Sequence, residues 1–539
     1  MKKFSLIVLC VVFSINIHAQ YVSHTHVPDS TVVINNDPND PRVQFANTIT
    51  GEDIKKHLSI LASDEYEGRE TGEEGNNKAA EYIADQFKGM GLKPTGLENS
   101  YYQPVIFSST GWKNTELFVE GTKYKHLWDY LVYPGAFENN KNYSESEVLF
   151  LGYGIDDPAY SDYKGKDVSG STIMIYSGEP NWGSVNVITG NAENSIWNNN
   201  IAKKLELAKN KGVAMVYVVN NDLKAFLMDN RKYLIGSSLQ LGDIRQQSQN
   251  LIPHAYISTT MAEDMIGKRK RKVSKAVAKM SKKGKSKAIK LPSRVTGSFD
   301  NYINLLEGQN VLGFIEGTDL KDEVIVVSAH YDHLGKRNKD IFNGADDNGS
   351  GTSTVLDIAS AFQQAKVADK GPRRSILFLL VTGEEKGLLG SQWYAENPTV
   401  PLENIVANVN VDMIGRIDEL HDHDNYIYVI GSDRLSTDLH KINEMANDNF
   451  IQMELDYTYN SETDPNRYYY RSDHYNFAER GIPAIFYFSG VHEDYHRPTD
   501  TVDKILFDKV ERTGRLIFQT TWELANRDQR IKVDRSTKP

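Results

Sequence analysis

Histidine and acidic side chains stand directly behind apolar runs at several places in this sequence. His330-Tyr331-Asp332 follows the run 324–329, and Thr382-Gly383-Glu384-Glu385 follows 376–381. Asp412 follows 405–411, and a loop with His492, Glu493, Asp494, Tyr495 and His496 follows 484–488. Between them lies Gly344-Ala345-Asp346-Asp347-Asn348-Gly349, a turn that opens a helix. Imidazoles and carboxylates without thiolates form a ligand set suited to zinc or a neighbouring first-row metal. Singly, each piece has an ordinary reading. Paired acids such as Glu384-Glu385 cap helix N-termini, and Asp346-Asp347-Asn348-Gly349 alone reads as a turn. Asp412 is different, because Val409-Asn410-Val411 and Met413-Ile414 bracket it and predict that it is buried. A buried carboxylate requires a partner or a metal.

His492-Glu493-Asp494-Tyr495-His496 also fits the H-E-x-x-H zinc pattern, which works only on a helix. Gly490 and Pro498 flank it, and proline disfavours helix at the preceding residue. The segment therefore reads as a loop in which His492 and His496 need not point together.

Apolar runs alternate with helical periodicity after Asn304. Runs at 311–315, 324–329, 376–381, 405–411, 426–430 and 484–488 are separated by helices near 350–364, 388–396 and 435–449. A last helix is expected over 504–525. This alternation implies an α/β fold, a mainly parallel mixed sheet with helices on both faces. Ligands of such sheets bind beyond the carboxyl ends of the strands, which is where the imidazoles and acids fall. Upstream, Thr50 caps a helix with Ile54, Leu58 and Leu61 on one face, and a second helix over 76–90 ends at Gly91. Residues 20–47 read as a leader or loop. The stretch 108–290 has a different texture, with short β-like runs, one helix near 198–211 and the strand 213–219, and reads as a smaller, mostly β inserted domain. It ends in the basic stretch Lys268 to Lys290, which reads either as a solvated face or as a contact for an anionic partner.

The chain has 539 residues, 40% hydrophobic and 25% charged, with net charge −11. That length predicts more than one domain, and the charge argues against a general nucleic-acid binder. Lys2 and Lys3, the apolar run from Phe4 to Ile17, and Ala19 have the pattern of an export signal over 1–19. The only cysteine, Cys10, lies within it. The expected location is therefore periplasmic or secreted, with no disulfides and with no transmembrane span.

Several strings together resemble the M28 family of metallopeptidases, aminopeptidases with two co-catalytic zinc ions. They are Ser328-Ala329-His330-Tyr331-Asp332-His333, Asn343-Gly344-Ala345-Asp346-Asp347-Asn348-Gly349-Ser350-Gly351, Gly383-Glu384-Glu385, Asn410-Val411-Asp412-Met413-Ile414-Gly415, Arg471-Ser472-Asp473-His474 and Tyr495-His496-Arg497-Pro498-Thr499-Asp500-Thr501. The resemblance covers 50–107 and 291–525, and implies a discontinuous peptidase domain over 48–107 and 291–530. By position and size, the segment 108–290 is similar to the protease-associated (PA) domain found within that family. Carried over by motif, His330, Glu385, Asp412 and His496 would each bind one of two zinc ions, and Asp346 would bridge them. Asp332 would orient His330, Glu384 would be general base and acid, and Tyr495 would donate to the oxyanion. Two such metals hold a shared water and lower its pKa. The implied substrates are peptides with a free N-terminus, and manganese or cobalt would serve in place of zinc. A glutaminyl cyclase, a carboxypeptidase or dipeptidase using Arg471 or Arg497, and a receptor-like binding protein are the other readings of this fold.

Overall fold

The computed structural model describes residues 25–28, 31–137, 141–234, 239–244 and 251–535. The expected export signal over 1–19 lies outside these residues. The chain divides into two compact units, residues 1–103 with 309–539, and residues 104–308.

The first unit is built on a mixed sheet. Its central strands are β1 (Leu320–His330), β2 (Arg374–Val381), β3 (Ile405–Val411), β4 (Tyr426–Ile430) and β5 (Ala484–Phe488). Strand β1 lies between β2 and β3 and pairs with both in parallel, and β5 continues the parallel set beside β3. Residues 311–315 close one side of this set against β2, and β4 closes the other against β5, both antiparallel. All eight residues of β2 are buried. Alternation explains why: Ile376, Phe378 and Leu380 enter one apolar core, while Leu377, Leu379 and Val381 enter another on the opposite face.

The first core is covered by helices Gly51–Leu61, Glu74–Met90, Gly351–Val367 and Phe507–Asn526, which supply Leu58, Ile83, Phe362 and Phe518. The second receives Tyr394 and Phe477 from the short helices Leu389–Glu396 and His474–Ala478. Local chemistry fixes the helix ends. The Thr50 side chain accepts from the Asp53 amide, and Gly91 ends its helix in the left-handed region at φ 79°. One short helix, Pro41–Ala46, lies in the stretch expected to be a loop. Asp40 caps it and Pro41 occupies its first turn, so proline starts this helix where its presence had suggested none.

The second unit carries its own six-stranded sheet, in the order Ile289–Leu291, Val148–Phe150, Thr172–Tyr176, Met215–Val219, His254–Ile257 and Tyr130–Val132. Its inner pairs are parallel and its outer pairs antiparallel. Helices Ile201–Asn210, Thr259–Ile266 and Lys270–Lys283 accompany it. Among the described residues, no helix is long and apolar enough to cross a membrane.

Candidate metal centre

Three parallel strands end in the candidate site. His330 is the last residue of β1 and is buried. Its Nδ1 lies 3.1 Å from the Asp332 carbonyl oxygen, a hydrogen bond that turns Nε2 the other way. Nε2 then lies 3.3 Å from Asp412 Oδ1, 3.5 Å from Asp347 Oδ1 and 3.9 Å from Glu384 Oε2. Asp412 follows β3, and its second oxygen accepts from Ser472 Oγ at 2.6 Å. Ser472 belongs to a buried polar chain beneath the strand ends. Asn408 donates to Ser328, Ser328 to Asn410, and Asn410 to Ser472. The chain fixes the rotamer of Asp412.

A second group faces the first. His496 Nε2 lies 3.1 Å from Asp347 Oδ2 and 3.2 Å from Glu385 Oε2. His333 Nδ1 lies 2.8 Å from Glu385 Oε1 and 3.7 Å from Asp347 Oδ2. Asp347 thus turns one oxygen to His330 and the other to His496 and His333.

Asp346 had been expected to bridge the two metals, but it is Asp347 whose two oxygens face both groups. Both residues sit in one turn whose amides donate to the Asp500 carboxylate, but their side chains leave in different directions. Asp346 Oδ1 accepts from the Gly415 amide at 2.6 Å, and Oδ2 lies 3.3 Å from His492 Nε2. Gly344 permits the turn, with φ 54° and no room for a side chain: a Cβ there would lie 2.1 Å from the Asp347 carbonyl oxygen.

Asp332 also differs from expectation. Its carboxylate stands 3.8 Å from His330 Nδ1, beyond hydrogen-bond reach. It accepts instead from the Glu384 amide at 3.1 Å and from Thr71 Oγ1 at 2.8 Å. The His330 ring is oriented by the Asp332 backbone, and the Asp332 side chain positions Glu384. Tyr495 stacks on His496, with ring centroids 3.8 Å apart, and lines the cleft. His492 and His496 face different partners, as a loop allows.

Charge in this cluster is poorly balanced. Burial, the other acids and only partial compensation by His330 push the Glu384 carboxyl well above the usual range. For Glu385 burial acts in the same direction, but His333 and His496 outweigh it and hold the carboxyl well below that range. His330 Nε2 is buried without a hydrogen-bond partner, and His333 Nδ1 and Glu385 Oε1, buried and 2.8 Å apart, have no partner other than each other. Buried polar atoms are almost always satisfied, so orphaned nitrogen and oxygen atoms aimed at common points fit a cation. Two triads meet simple distance criteria for one, His330 with Glu384 and Asp412, and His333 with Asp347 and Glu385.

Two residues that carry the site were not assigned a role from sequence. His333 is fully buried against Glu385, and its position three residues after His330 was the available signal. Arg69 had none. It lies between helices Gly51–Leu61 and Glu74–Met90 and is 1% exposed. Its guanidinium donates to the carbonyls of Leu61, Tyr331, Asn343 and Gly344. Burial lowers its pKa to about 10, so the cation persists at neutral pH. Arg69 therefore ties the loop after β1 to the turn that carries Asp347. We expect Arg69→Met to destabilise the fold by about 3 kcal/mol or more, because hydrogen bonds to a charged group contribute roughly 1.5–3 kcal/mol each. Arg69→Lys should fall between, with fewer donors in a different geometry. Thermal and denaturant unfolding of the two variants measures this.

Strained backbone occurs here as well. Arg69, Met413 and His496 occupy the left-handed region at φ 51°, 55° and 56°. Non-glycine residues persist there only where their surroundings over-determine them, commonly at functional sites.

A mixed α/β sheet with convergent acids and imidazoles beyond its parallel strands defines a candidate metal-dependent hydrolase centre. Residues 310–521, which contain nearly all of it, match the family model of peptidase family M28. Among similar proteins is a probable leucine aminopeptidase of Arthroderma otae, 32% identical over 211 residues, which are 38% of this chain and 55% of the relative. Another is aminopeptidase YwaD of Bacillus subtilis, 28% identical over 42% of this chain and 46% of its own length. The chain thus spans about half the length of these curated relatives. Among solved structures, an aminopeptidase from Aneurinibacillus sp. strain AM-1 aligns over 92% of this chain and 99% of its own, with 18% identity and a TM-score of 0.46.

Proposed function

We propose that the protein is a zinc-dependent aminopeptidase that removes N-terminal residues from peptides. The observation that carries this reading is Asp347, whose two oxygens each face a separate cluster of imidazole and carboxylate atoms. His330, Asp347 and Asp412 would hold one zinc ion, and Asp347, Glu385 and His496 the other, with His333 as a further imidazole beside the second. When bound, a pair of such ions polarises the peptide carbonyl and makes water acidic enough to attack at neutral pH.

The chain's own residues account for the remainder. Glu384 is held at its amide by Asp332, and its carboxylate lies between the His330 side and the cleft. From there it takes a proton from the attacking water and returns it to the leaving amine. Tyr495, which lines the same cleft, would donate a hydrogen bond to the developing oxyanion. Met413, Phe486, Phe488 and Val491 line the same cleft, so an apolar N-terminal side chain fits it. The names of the relatives, leucine aminopeptidase among them, agree with this preference.

Arg471 also lines the cleft, above the Tyr468 ring, and is the group a carboxypeptidase would use. End-blocked peptides separate the two readings. The aminopeptidase reading expects cleavage of a leucyl peptide amide and none of its N-acetylated form. Cleavage of an N-acetylated peptide with a free carboxylate, and not of the amide, would assign the carboxypeptidase reading instead.

A further inference from the structure

The second unit carries a surface that the peptidase reading leaves unused. Helix Lys270–Lys283 packs Val273, Ala276 and Met280 into the core of that unit. Its other face is basic. Lys272, Lys275, Lys279 and Lys282 recur at spacings of three and four, so they line one exposed stripe. Lys268, Arg269, Arg271, Lys283, Lys285 and Lys287 extend the charge at both ends, and no acidic residue occurs between Met265 and Lys290. Of the cations in this stretch, Lys270 and Lys290 are paired with acids, Glu263 and Glu147. This concentration stands out on a chain of net charge −11.

A second feature lies beside the helix. Strands Asn181–Trp182 and Val185–Asn186 form a two-stranded hairpin packed against it. Trp182 and Val185 are 54% and 45% exposed. Lys282 Nζ lies 5.2 Å from the centre of the Trp182 ring, which places the indole within the basic face. Exposed tryptophan with an aliphatic neighbour, set among lysines, is the chemistry of a membrane interface. Indole rings settle at the headgroup level, and cations are drawn to anionic lipid. Nucleic acid is less well matched. A single indole with Lys282 over its face gives no platform on which successive bases stack.

We propose that the basic stripe and the Trp182–Val185 hairpin together form a peripheral docking surface for anionic phospholipid headgroups. The lysines supply the attraction, and Trp182 and Val185 enter the interfacial layer. No span is required.

Co-sedimentation of the full-length protein with phosphatidylcholine vesicles, with and without phosphatidylglycerol, tests this. Binding is expected on the anionic vesicles alone and is lost at high salt. Each cation near such a surface contributes about fivefold in affinity, so the triple variant Lys272→Glu, Lys275→Glu, Lys279→Glu should bind at least about 100-fold more weakly. Trp182→Ser should weaken binding several-fold at unchanged charge. All variants share the parent's N-terminus, so the differences report this surface, and an unchanged melting temperature shows that each is folded. No binding to anionic vesicles, or equal binding by parent and triple variant, would overturn the proposal. So would tight binding to double-stranded DNA that depends on the lysines and ignores Trp182→Ser.

Discussion

Glu384→Gln should lower turnover of a leucyl peptide by roughly 10²–10⁴-fold, the contribution of a positioned general acid and base, with metal content unchanged. Glutamine keeps the shape and one acceptor oxygen but cannot take up a proton. The Asp332 grip on residue 384 acts through its backbone amide, so the substitution leaves that contact in place. Glu384 Oε2 is also the most distant of the carboxylate oxygens around His330 Nε2, at 3.9 Å against 3.3 and 3.5 Å for Asp412 and Asp347. For that reason Glu384 is assigned to the proton and the other two to the metal. Steady-state kinetics and metal analysis on one preparation measure both halves. A variant that loses metal together with activity would move Glu384 into the ligand set.

The second large effect separates two adjacent aspartates. Asp347→Asn should remove metal from both halves of the site and abolish hydrolysis. The loss in metal affinity should exceed the roughly 10–100-fold typical of outer hydrogen-bond partners. Asn keeps one carbonyl oxygen, so at most one of the two contacts survives, with less charge. Asp346→Asn should behave differently. Its oxygens face the Gly415 amide and His492, so the variant should lose stability, retain metal and keep most of its turnover. Metal titration of both variants is the check. The opposite ranking would restore the register expected from the sequence.

That register shows where sequence reasoning stops. Strand ends were legible, because apolar runs buried on both faces at 376–381 and 405–411 leave their polar chemistry to the residue that follows. The Thr50 cap and the Gly91 stop were legible for the same local reason. The choice between Asp346 and Asp347 was not, since it depends on which way two consecutive side chains leave one turn. The Asp500 amide contacts and the room at Gly344 decide that, and Asp500 lies far along the chain. Asp332 was placed near the site on motif alone, and whether its carbonyl or its carboxylate meets His330 is a matter of about one bond rotation. Arg69 left no trace, because an arginine that donates to four backbone carbonyls matches no side-chain pattern. Ser472 stood within a matched string but received no role, because it serves Asp412 across sixty residues of sequence. The helix Pro41–Ala46 was hidden by its own proline.

On the proposed reading, Asp347 joins two metal sites in one working centre. The most direct measurement is the number of zinc ions per purified chain, titrated against the release of an N-terminal leucine before and after chelation. About two ions per chain are expected, as in co-catalytic hydrolases, with activity lost to the chelator and recovered as both sites refill. One ion per fully active chain, or activity untouched by complete removal of metal, would contradict it.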